Sequence, residues 1–86
     1  MSTSRQQPRI LGVDPGSRIT GWGLIEVEGS EPRWLDHGVI RLHQKAPLPE
    51  RLSLLYDGMT SLLSKTEPDE VAVEELYVAR NARSAL

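Results

Sequence analysis

The stretch from Ile10 to Glu26, ILGVDPGSRITGWGLIE, decides how the rest of the chain is read. Ile10, Leu11, Gly12 and Val13 form a short apolar run of the kind found in a buried strand. Asp14-Pro15-Gly16-Ser17 then fits a β-turn with Pro at its second position and Gly at its third. From Thr20 to Glu28 the chain mixes Trp22, Leu24, Ile25 and Val27 with Gly21 and Gly23, which reads as a second strand closely approached by something else. The segment is thus a hairpin with an acid where the first strand ends. That acid, Asp14, has two readings: an aspartate capping the turn through its own side chain, or a metal ligand.

Downstream, Glu28-Gly29-Ser30-Glu31-Pro32 reads as a turn into a third strand over Arg33–Leu42, completing a three-stranded antiparallel meander. Gln44 to Pro47 is loop, and Pro49 suits the first turn of a helix. Leu52, Leu55, Tyr56, Met59, Leu62 and Leu63 then recur at helical spacing, which predicts one buried face with Tyr56 and Met59 in the core. Gly58 weakens this helix by about 1 kcal/mol relative to Ala. Glu67-Pro68-Asp69-Glu70 ends it, and Val71-Ala72-Val73 is a fourth short strand, again running into acid at Glu74-Glu75. A strand reached through a crossover helix lies parallel to a neighbour with right-handed connection, so the fourth strand is expected beside the first. The expected fold class is α/β.

At 86 residues the chain suits one small domain of marginal stability. Residues 1–8, MSTSRQQP, read as a disordered leader and 9–86 as the domain. Without Cys there is no disulfide framework and no thiolate metal site. The apolar runs of four or five residues fall far short of the roughly 20 needed to span a bilayer, which makes a soluble cytoplasmic protein the default. The net charge of −2 gives no global case for nucleic-acid binding. Five of the twelve acids do cluster between Glu67 and Glu75, ahead of a tail carrying Arg80 and Arg83.

If the first and fourth strands are neighbours, Asp14 and one glutamate meet at the same sheet edge although 60 residues separate Asp14 from Glu74. Two adjacent carboxylates disfavour each other's charge unless a cation neutralises them. Oxygen-only donors suit Mg²⁺ or Mn²⁺, ions that activate water and stabilise the leaving oxygen in phosphodiester cleavage. Glu74 and Glu75 point to opposite faces of a strand, so one of them shares the site, and periodicity does not choose between them.

Two motifs, G-x-D-P-G-S-R-x-T-G over residues 12–21 and A-V-E-E-L-Y-x-A-R-N over 72–81, together with the segment between them, resemble the N-terminal half of the RuvC family of bacterial Holliday-junction resolvases. The resemblance runs from Arg9 to Leu86. It implies a partial RNase H-like domain of an endonuclease that cuts four-way DNA junctions in recombination and repair, using Mg²⁺ or Mn²⁺. It also implies a homodimer working with the branch-migration motor proteins RuvA and RuvB. By position, Asp14 and Glu74 match catalytic, metal-binding acids, which favours Glu74 over Glu75. Tyr77 matches an aromatic that stacks on junction DNA, and Arg80, Asn81 and Arg83 fall in a loop near DNA. The family's two further aspartates, in a D-A-x-D-A type helix, would lie beyond Leu86, so weak metal binding and undetectable cleavage are expected of these 86 residues alone. Two other readings share the hairpin: an ATP-phosphate-binding domain of the actin, Hsp70 and sugar-kinase group, and a non-catalytic fragment.

Overall fold

A computed structural model describes residues 7–16 and 18–74. The elements are β1 (Arg9–Asp14), β2 (Ile19–Glu28), β3 (Glu31–Arg41), α1 (Leu48–Thr66) and β4 (Glu70–Val73). They form one four-stranded sheet in the order β3-β2-β1-β4. β1 and β3 each pair antiparallel with β2, while β4 lies parallel to β1. The meander, the crossover helix and the parallel fourth strand are therefore as the sequence implies.

The β2–β3 turn is tighter than expected. Glu28 pairs with Glu31, leaving only Gly29 and Ser30 in the turn, with Gly29 at φ 66°. Pro32, expected in the loop, is instead paired with Val27 inside β3. A proline lacks the N–H that a central strand needs, and β3 tolerates it as an edge strand of this sheet.

One face of the sheet is covered by α1. Leu11, Val13, Leu24 and Leu62 form the buried cluster, with Trp22, Leu35, Ile40 and Met59 packed around it. The helix lies close against the sheet at Gly58, where an added Cβ would stand 2.7 Å from Ile40 Cγ2. The helix-weakening glycine is thus the residue that lets α1 settle on β3. A similar economy of space holds at Gly38, where a Cβ would meet the Trp22 indole at 2.8 Å.

The helix buries a narrower stripe than its apolar pattern suggests. Leu62 is buried and Leu55, Gly58 and Met59 are half-buried, but Leu52, Tyr56 and Leu63 are exposed, Tyr56 at 72%. Tyr56 is therefore not a core residue. Spacing defines a broad apolar arc, and the line of contact through Gly58 selects only one side of it. On the helix side of β4, Val71 and Val73 are likewise exposed at 44% and 62%.

Two devices fix the turn into β4. The helix ends with Glu67 in the left-handed conformation, its N–H bonded to the Leu63 carbonyl at 2.9 Å. Arg9 then ties the strands together: its backbone N–H donates to Asp69 Oδ2 at 2.7 Å, its Nη1 donates to the Thr66 carbonyl at 3.0 Å, and its carbonyl accepts from the Asp69 N–H at 2.8 Å. Among the described residues no helix is long and apolar enough to cross a membrane.

Candidate active site

In β1, alternation sends Leu11 and Val13 into the core and leaves Gly12 and Asp14 on the opposite face. β4 follows the same phase, because Leu11 pairs with Val71, Gly12 with Ala72 and Val13 with Val73. The Glu74 N–H donates to the Val13 carbonyl at 2.9 Å, which carries the register one residue further. Asp14 and Glu74 are therefore opposite one another at the C-terminal ends of neighbouring parallel strands. The spacing of adjacent strands puts their Cα atoms about 5 Å apart.

Both residues are exposed and line one groove of about 520 Å³ on the face away from α1. Its floor is glycine. Gly12 pairs with Gly23 and Asp14 with Gly21, and nothing lies within 4 Å of where a Cβ would stand on Gly21 or Gly23. The close approach expected at these glycines is not to another part of the described chain: they leave a bare stretch of backbone beside the two acids. Gly12 completes this floor, a role its place within an apolar run did not signal.

The Asp14 carboxylate takes no hydrogen bond and no ion pair among the described residues, so no turn cap is made with Gly16. Two carboxylates this close repel each other in the absence of a cation. As a donor set they fit a hard divalent ion incompletely. Magnesium takes six oxygens, of which two side chains supply a minority, and among the described residues no group of three or more potential ligands occurs. Glu75, Tyr77, Arg80, Asn81 and Arg83 lie outside the described residues.

The family model for crossover junction endodeoxyribonuclease RuvC matches residues 10–86. The chain belongs to the RuvC family. A crossover junction endodeoxyribonuclease RuvC from Caulobacter vibrioides is 46% identical over 86 residues, which are all of this chain and 51% of that protein. A solved structure of Thermus thermophilus RuvC in complex with Holliday junction substrate superposes with a TM-score of 0.73 at 30% identity, covering 85% of this chain and 47% of that one. The chain thus spans about half the length of the RuvC proteins it matches. Its mixed sheet and single helix match the RNase H-like fold of RuvC as a partial domain. The Aquifex aeolicus PPX-GPPA enzyme superposes with a TM-score of 0.61 over 78% of this chain and 26% of that one, at 9% identity, a likeness of fold alone.

Proposed function

We propose that the chain is the N-terminal half of the catalytic domain of a structure-selective endonuclease that resolves four-way DNA junctions by metal-dependent phosphodiester hydrolysis. The observation that supports this most strongly is the register of Asp14 with Glu74 over the glycine-floored groove. A DNA backbone can lie on a glycine floor where side chains would hold it away.

In this proposal Asp14 and Glu74 would hold Mg²⁺ or Mn²⁺, which would supply charge neutralisation and activation of water for attack on phosphorus. Gly21 and Gly23 allow the sugar-phosphate chain to approach the sheet. Tyr77 stacks on an unpaired junction base, and Arg80, Asn81 and Arg83 contact the flanking backbone. Two carboxylates leave most of the coordination sphere to water, so these 86 residues alone bind metal weakly and cut undetectably. The working enzyme is a cytoplasmic homodimer that acts with the motor proteins RuvA and RuvB.

Joining Leu86 to the remaining half of the Caulobacter relative tests the proposal. The chimera should nick a synthetic four-way junction symmetrically in Mg²⁺ and leave linear duplex of the same sequence intact. A folded chimera with no junction cleavage would contradict it.

A further inference from the structure

We propose that Arg18, Arg41, His43 and Lys45 form a second DNA site, a phosphate-binding groove that grips the duplex arm flanking the cleaved phosphate. This rests on the junction-cleaving function proposed above and extends it to a surface outside the acidic groove.

Charge pairing singles out these residues. Of the seven Arg and Lys side chains among the described residues, four are engaged within the fold. Arg9 and Arg33 both reach Glu26, Arg51 Nε donates to the Ala46 carbonyl at 3.0 Å, and Lys65 stands 6.0 Å from the Trp22 ring centroid. The other three are Arg18, Arg41 and Lys45. Among the described residues none of them forms an ion pair, and Arg18 makes only a 3.5 Å contact from Nη1 to Gln44 Oε1. All three are exposed. In a chain of net charge −2, this is a local reversal of sign with no internal use for the charge.

The three cations line a continuous surface. One groove of about 320 Å³ is lined by Arg18, Ile19, Arg41, His43 and Gln44. A second, of about 470 Å³, shares His43 and Gln44 and extends to Lys45 and the first turn of α1, with Glu50 on its far side. The intervening loop is held in shape. His43 sits at φ 58°, a left-handed conformation uncommon for a residue with a side chain, and its carbonyl accepts from the Ala46 N–H at 2.9 Å. The Leu42 N–H donates to the Arg18 carbonyl at 2.9 Å, joining the two sides of the groove.

Register relates this groove to the acids. Asp14 pairs with Gly21, Gly21 with Val39, and Ile19 with Arg41, so Arg41 rises from the same face as Asp14. It lies two strands across and two residues along, a backbone separation of about 12 Å. With one phosphate per 3.4 Å of axis on each strand, that is roughly three to four nucleotides. A duplex arm leaving the acidic groove toward β3 would therefore bring its backbone to Arg41, with Arg18 and Lys45 to either side. Contacts of this kind carry no sequence preference and make binding depend on salt.

Fluorescence anisotropy with labelled four-way junction and labelled linear duplex, in EDTA over a series of salt concentrations, tests the groove on the 86-residue chain. Arg41→Gln/Lys45→Gln should weaken binding to both DNAs about tenfold and lower the log–log salt slope by nearly 2. The slope loss identifies lost phosphate contacts rather than lost fold, and circular dichroism of the variant should match the parent, since neither side chain has a partner within the described fold. Arg33→Gln, toward the opposite end of β3, should leave affinity and slope unchanged. Wild-type affinity and slope in the double variant would overturn the groove, as would a parent chain that binds neither DNA. The chimera separates the two claims. Cutting by the chimera with undiminished binding in the double variant removes the groove and leaves the function standing. A reduced slope in the double variant with no cutting by the chimera supports the groove and removes the function.

Discussion

Asp14→Asn in the junction-cutting chimera should abolish cleavage, lowering the single-turnover rate in Mg²⁺ by at least about 100-fold, more than loss of a residue that merely orients a metal ligand. The substitution keeps shape and removes charge. Asp14 is exposed and makes no hydrogen bond or ion pair among the described residues, so the fold should tolerate the change. Its contribution is confined to the groove shared with Glu74. Glu74→Gln should have an effect of the same order, and the double variant should be little worse than either single one, because both carboxylates serve one ion. Rates measured at saturating protein separate loss of chemistry from loss of binding. A ten-fold or smaller loss in Asp14→Asn would show that the acid is peripheral to the reaction.

Leu11→Ala should remove a large part of the stability of the 86-residue chain and lower its melting temperature by more than about 10 °C. Leu11 is fully buried at the centre of the cluster with Val13, Leu24 and Leu62. Truncating a buried leucine costs about 2–5 kcal/mol, whereas a chain of this length has a total stability of about 4–13 kcal/mol. The lower half of that range is expected here, because Val71 and Val73 of β4 and Leu52, Tyr56 and Leu63 of α1 are exposed apolar surface that contributes little. Circular dichroism should show a cooperative thermal transition for the parent and at most a broad, low-temperature one for the variant. Because β1 carries Asp14 and pairs with both β2 and β4, the same substitution weakens the site with the fold. A variant melting within a few degrees of the parent would place the core elsewhere.

The sheet was legible in the sequence because three of the four strands end in a local signal: Asp-Pro-Gly at the end of β1, Gly-Ser after β2, and acid after β4. The parallel pairing of β1 with β4 followed from a helix too long to be a hairpin turn. Less legible was anything that depends on which surfaces meet. Periodicity drew one wide apolar face on α1, but the close contact of Gly58 with Ile40 decided that Met59 would be packed and Tyr56 exposed. Pro32 looked like loop because a proline disfavours strands, and only its place on an edge strand admits it.

The acidic pair was legible for the same reason as the sheet. Asp14 and the acids after β4 each follow an apolar run, and two parallel strands in register bring their ends together, while the choice of Glu74 over Glu75 came from the family resemblance alone. Arg41, His43 and Lys45 do not stand out in the sequence, because single charges near a strand end ordinarily face water and an overall charge of −2 points away from DNA. Their alternation over 41–45 was the available signal. The distinction between these cations and Arg9 or Arg33 lies in their partners, which no linear pattern shows.

Paramagnetic broadening by Mn²⁺ of the backbone amide resonances of the 86-residue chain tests most directly whether Asp14 and Glu74 form one metal site. Broadening should appear first at Asp14, Gly21 and Glu74, at millimolar rather than micromolar Mn²⁺ given only two carboxylate ligands, and it should vanish from all three in Asp14→Asn. Broadening centred instead on the acidic turn at Glu67, Asp69 and Glu70, or a pattern unchanged by Asp14→Asn, would contradict the shared site.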